Sequence, residues 1–121
     1  MASKLLKMLI PFEVIFKDGT FLLTNIEPDF EYENNRRTEK IIGFKYEVVD
    51  TVDFDKIKVK IKGQKKPLMT SERLEELREN GEKIVVEFIN GVDKPYIRRN
   101  GNMSSVEDSF SAEDIKLVEE N

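Results

Sequence analysis

The sequence predicts a mainly β fold with one short helix, and three observations carry that prediction. KIKVKIK at 56–62 alternates lysine and aliphatic residues without a fault, the period of two that a strand with one buried face requires. Asp18-Gly19 and Asn90-Gly91 fall between apolar runs, where a residue tolerant of positive φ lets the chain reverse within two residues. One stretch, TSERLEELRENG at 70–81, carries helical punctuation, with Thr70 or Ser71 to cap its free N–H groups and Gly81 just past its end.

Taken in order, Phe12, Val14 and Phe16 alternate with Glu13 and Lys17, and after Asp18-Gly19 the run FLLTNI reaches Ile26. The expectation is a two-stranded hairpin. Residues 27–39, EPDFEYENNRRTE, hold no sustained period and are dense in charge, so a flexible loop is expected there. KIIGFKYEVVD at 40–50 puts Ile42, Phe44, Tyr46 and Val48 on one side of a strand, with Gly43, Lys45 and Glu47 opposite. In 56–62, Ile57, Val59 and Ile61 face inward. Leu74 and Leu77 give the helix a narrow apolar stripe suited to covering one end of a barrel. KIVVEFI at 83–89 is a further strand, Pro95 to Ile97 begins a short one, and RRNGNMSS at 98–105 reads as a second loop. The ending SFSAEDIKLVEEN fits a helix or a strand, and a strand at 115–118 after a turn at 111–114 is favoured. The order hairpin, strand, strand, helix, strand, strand resembles a small oligonucleotide-binding (OB-like) barrel of five to six antiparallel strands, a single domain over 1–121 with an acidic C-terminal end.

The chain's 121 residues suffice for one core. With 39% hydrophobic and 36% charged residues, and eight Phe, it belongs among folded proteins with a heavily ionised surface. It contains neither Cys nor His, which rules out thiolate or imidazole nucleophile and base pairs and His- or Cys-held zinc chemistry. There is no phosphate-cradling glycine loop and no calcium-loop spacing. The expectation is a protein with no catalytic activity, cofactor or metal. The apolar run at 5–10 is broken by Lys7, too short for a leader or a membrane span, so a cytoplasmic protein without a membrane partner is expected.

The net charge of −4 does not attract nucleic acid as a whole, but it is unevenly spread. KIKVKIKGQKK at 56–66 holds six Lys and no acid. Lys56, Lys58, Lys60 and Lys62 would stand along one sheet face at roughly 6 to 7 Å intervals, about the repeat of phosphates in a single strand. Lys65 and Lys66 extend this patch, and Lys45 joins it if the neighbouring strands pair. The plainer alternative is a solvated face or an edge guarded by lysine. Phe44 and Tyr46 read as core, whereas Tyr96 beside Arg98 and Arg99 is the better candidate to stack on a base. Glu27, Asp29, Glu31 and Glu33 form an acidic run, and Glu119 and Glu120 end an acidic tail; these would serve a protein partner with a basic site, or compete for the lysines.

Tyr46, the Ile57, Val59 and Ile61 series, Val86 to Asn90, and Ala112, Glu113, Asp114 and Ile115 together resemble a family of small uncharacterised-domain proteins carried by conjugative transposons and related mobile elements of Gram-positive bacteria. The resemblance spans roughly 40–118 and departs from the family where Asn90-Gly91 replaces Asn-Pro. It implies a β-barrel and, for some members, helicase processivity. The expected function is therefore an accessory protein of mobile-element DNA replication or transfer that binds single-stranded DNA, beside a helicase or other replication protein. The alternative is an inhibitor or adaptor, such as an anti-defence protein of a phage or plasmid, acting through acidic surface.

Overall fold

The computed structural model describes residues 9–118. After β1 (Ile10–Pro11) the chain turns once as α1 (Phe12–Ile15). This replaces the expected hairpin around Asp18-Gly19: Phe16 N–H donates to the Phe12 carbonyl at 2.8 Å, and Val14, expected inside, is exposed. Spacing of four between Phe12 and Phe16 suits one turn of helix as well as a strand. Their rings meet edge to face, with centroids 5.1 Å apart.

The dominant hairpin is formed instead by β2 (Phe21–Glu33) and β3 (Arg36–Asp50). Its turn is Asn34-Asn35, with φ of 52° and 63°, the positive pair a two-residue hairpin turn needs and that Asn tolerates better than most residues. Residues 27–39, expected as a flexible loop, are therefore paired strand on either side of the Asn34-Asn35 turn. Shifts of register between Leu23 and Asn25, Asp29 and Phe30, and Phe30 and Tyr32 break the alternation that would have marked it in the sequence.

β3 pairs antiparallel with β4 (Lys56–Lys62) over Gly43 to Val49, so the part of the ribbon from Phe30 to Ile41 runs on past β4. Thr70 caps α2 (Ser71–Glu79), its hydroxyl accepting from Arg73 N–H at 3.1 Å; Gly81, at φ 79°, follows the helix. Leu74 is buried from this helix, and Arg78 donates to the Thr24 carbonyl at 2.8 Å. Next come β5 (Val85–Ile89) and β6 (Val92–Asp93). The expected loop at 98–105 is a separate two-stranded hairpin, β7 (Tyr96–Asn100) with β8 (Met103–Glu107). β9 (Phe110–Ser111) and β10 (Asp114–Leu117) complete the chain.

The main sheet runs β1-β6-β9-β4-β3-β2-β5-β10. β9 lies parallel to β4 while β10 lies antiparallel to β5, and only two residues separate them. One closing segment, 110–117, thus bonds to strands at both ends of the β4-β3-β2-β5 series, and the sheet curls round an interior. Ten strands and two helices among the described residues exceed the expected five to six strands and one helix; the additions are the two-residue strands β1, β6 and β9, the short helix α1, and β8 in the expected loop at 98–105. Phe21, Leu23, Ile26, Tyr46, Val48, Val59, Ile61, Val86 and Ile115 fill that interior. At one end Phe12 touches Phe16, Phe21, Phe88 and Phe110, with ring centroids 5.1 to 6.0 Å apart. No helix among the described residues is long and apolar enough to cross a membrane.

Candidate nucleic-acid interface

The alternation of 56–62 is realised as read: Val59 and Ile61 are buried, Ile57 is half-buried, and Lys56, Lys58, Lys60 and Lys62 are exposed on the outer face. Strand pairing sets Lys58 opposite Glu47 and Lys60 opposite Lys45, and Glu27 of β2 opposite Lys45. The lysines do not stand alone there. Lys56 lies 3.6 Å from Glu47, Lys58 3.2 Å from Glu27, and Lys45 3.7 Å from Asp29. The expected uninterrupted stripe is corrected to a mixed face of five ammonium groups and three carboxylates. Two of these acids, Glu27 and Asp29, come from β2, in the segment expected as a loop, and Glu47 comes from β3.

The acidic run is corrected by the same contacts. Asp29 is buried, Glu27 holds Lys58, and Glu31 lies 3.8 Å from Lys40. Glu33 is exposed beside the Asn34-Asn35 turn. Glu119 and Glu120 lie outside the described residues.

Lys60 and Lys62 make no ion pair among the described residues. They border a groove of about 420 Å³ shared with Lys94, Ser109, Ser111 and Glu113. Lys65 and Lys66 are exposed in the loop before α2. Tyr96, Arg98 and Arg99 sit on β7, every residue of which is exposed. Tyr96 and Arg98 share one side of that hairpin; Arg99 shares the other with Ile97, which pairs with Val106.

Two contributors were missed in the sequence. Beyond the end of β4, the β2–β3 ribbon carries exposed Tyr32 and stacks the Arg37 guanidinium 4.6 Å from the Phe30 ring centroid. The run YENNRR signals it, once Asn-Asn is read as a turn that brings aromatic and arginine residues together. Lys94 is the other, isolated in sequence and brought to the groove by β6.

Two acidic centres stand apart. Asp93 is buried and accepts from Ser109 N–H at 3.0 Å; burial first, then Asp108 beside it, push its carboxyl up to about 6. Asp50, Asp53 and Asp55 have carboxylates close enough to share a cation, but the buried Asp50 already accepts from Val52 and Asp53 N–H at 3.2 Å each. That arrangement is a side-chain turn, complete without a ligand.

No protein-family model matches the chain, and no curated protein or solved structure matches it either.

Proposed function

We propose that this protein is a non-catalytic binder of single-stranded nucleic acid, built on an OB-type barrel. The barrel reading rests on connectivity: β2, β3, β4, α2, β5 and the bent closing segment 110–117 follow the order of that fold, including a parallel contact between its third and fifth strands. Barrels of this type take oligonucleotides on the face of their second and third strands, between the loop joining strands one and two and the loop joining four and five. Here those places are the β3–β4 face, the ribbon from Phe30 to Ile41, and the insertion 90–109 that bears β7 and β8.

The observation that carries the reading is that each of those three places bears exposed basic or aromatic side chains. Lys60 and Lys62, with Lys65 and Lys66 in the loop after β4, supply charge without carboxylate partners among the described residues; Tyr96 and Arg98 share one side of the β7–β8 hairpin and Arg99 lies on the other, and Tyr32 and Arg37 lie on the β2–β3 ribbon. Stacking on exposed aromatic rings adds about 1–3 kcal/mol per base. Exposed ion pairs are worth roughly 0–1 kcal/mol each, so Lys56 and Lys58 exchange their carboxylates for phosphates at little cost while adding less than unpaired cations would; Lys45 stays with the buried Asp29. The absence of His and Cys supports a protein that holds its ligand without reacting with it. A place in mobile-element DNA transfer beside a helicase rests on the family resemblance alone.

The test is fluorescence anisotropy with a labelled single-stranded oligonucleotide over a salt series. Binding should weaken steeply with salt, and Lys60→Glu with Lys62→Glu should lower affinity more than Lys56→Glu with Lys58→Glu. No binding at low salt removes the reading. The adaptor alternative draws on a different observation, the exposed Ile97 and Val106 pair, since its acidic form loses Glu27 and Asp29 to internal contacts. A stoichiometric protein partner that survives nuclease treatment and is released by Ile97→Asp would favour it.

A further inference from the structure

The groove over β9 differs from the rest of the basic surface in how it is assembled. β9 lies between β4 and β6, and lysines reach over it from both sides. Lys60 is in register with Ser111 of β9, and Lys62 lies two residues further along the same face. From the other side, Lys94 N–H donates to the Ser109 carbonyl at 2.9 Å. The hydroxyl-bearing residues Ser109 and Ser111 therefore share the groove lining with three lysines, Lys60, Lys62 and Lys94.

Opposing charge is small. Glu113 also lines the groove, but its Oε2 already accepts from Asn90 Nδ2 at 2.8 Å. Asp93 is in register with Phe110 rather than with Ser111, which places it on the opposite face of β9 from the groove. Three cations against one engaged carboxylate leave a local excess of two positive charges. A backbone phosphodiester offers one negative charge, whereas a phosphate monoester carries about −1.5 to −2 near neutral pH and three terminal oxygens for lysine and hydroxyl donors.

Resting on the single-strand reading above, we infer that this groove is a phosphate-monoester site that fixes the phosphorylated end of a bound strand. The same chemistry would accept a free nucleoside monophosphate, and a volume of about 420 Å³ leaves room for the attached nucleoside. Lys94 distinguishes this site from the lysine face, because it directly follows β6 and lies off β4.

The experiment compares single-stranded oligonucleotides carrying a 5′-phosphate, a 3′-phosphate or neither, each labelled at the other end, on the wild type and on Lys94→Gln. Backbone amide shifts at Ser109 and Ser111 are followed in parallel during titration with a nucleoside monophosphate. The expected result is binding of one phosphorylated oligonucleotide at least about tenfold tighter than the plain one, the effect of roughly one strong charge-assisted contact. Lys94→Gln should abolish that preference, costing the phosphorylated oligonucleotide at least about tenfold more affinity than it costs the plain one, and the monophosphate should move both serine amides in the wild type alone. If the plain oligonucleotide binds but neither phosphate tightens it nor the monophosphate moves the serines, the inference fails and the polymer reading stands. Serine shifts lost in Lys94→Gln, with no binding of the plain oligonucleotide, keep the groove and overturn the polymer reading. No response to any probe overturns both.

Discussion

Removing one oxygen from the core tests how the helix-bearing loop is held to the sheet. Tyr46 is fully buried on β3, yet its hydroxyl is satisfied twice, donating to Gln64 Oε1 at 2.7 Å and accepting from Leu68 N–H at 2.9 Å. Burial pushes its phenol above the ordinary tyrosine value, so it remains a donor throughout the neutral range. Tyr46→Phe keeps the ring and deletes both bonds. Gln64 is half-buried and can turn to water, so that bond is worth about 1 kcal/mol, while Leu68 N–H loses its acceptor inside a packed loop at about 1–2 kcal/mol. Relief of the buried hydroxyl's desolvation offsets part of this, and the net expectation is a loss of about 2 kcal/mol. For a domain of this size that lowers the melting temperature by roughly 6–10 °C. The assay is urea unfolding followed by circular dichroism, with an unchanged slope and a lower midpoint. Gln64→Ala should lose only about 1 kcal/mol. A Tyr46→Phe protein within about 0.5 kcal/mol of wild type would refute the claim that this hydroxyl anchors the loop.

Two further perturbations probe the sheet and its buried charge. At Gly43 an added Cβ runs into the Ile61 carbonyl oxygen and comes within 3.0 Å of Lys62 Cα, backbone that cannot turn aside; Gly43→Ala should destabilise by about 1–3 kcal/mol, and a neutral effect in the same urea assay would show that β3 and β4 separate easily. Asp93 holds its proton up to about pH 6 in the folded protein but only to 3.8 as an ordinary carboxyl. The folded state therefore binds the extra proton between these values, and stability should fall, by at most about 3 kcal/mol, as pH rises from about 4 to about 6. Urea midpoints across that range should show the decline in wild type and a flatter profile in Asp93→Asn; parallel profiles would remove Asp93 as its source.

Lys56 to Lys62, with its fault-free period, the capped helix between Thr70 and Gly81, and the apolar run ending at Ile89 were legible from sequence; the closing strand, favoured over a helix at 115–118, lies at Asp114–Leu117, and the turn expected at 111–114 is narrowed to the two residues between β9 and β10. The β2–β3 ribbon was not, because bulges near Asn25 and Phe30 shift which side chains face inward, and its turn uses two asparagines where Asn-Gly would be the stronger signal. The same gap explains the face. Exposure of the four β4 lysines follows from alternation, but the carboxylates beside them come from Glu27, Asp29 and Glu47, and only strand register says which residues stand opposite. Asp18-Gly19 misled in the other direction, since a turn dipeptide has no strand to join when the preceding phenylalanines close a helical turn. Lys94 gives no signal at all until β6 is placed.

The closing segment at 110–117 also bears on how fast the molecule reaches its native state. Its partners on β4 and β5 lie about fifty and twenty-five residues back along the chain, and such distant pairings place folding among slower, millisecond-to-second processes. During synthesis β2 to β5 would emerge with two unsatisfied borders, one along β4 and one along β5, until residues 110–117 leave the ribosome. A nascent chain of this kind is open to strand addition by its neighbours, and the lysines spaced along β4 carry the charge that discourages it.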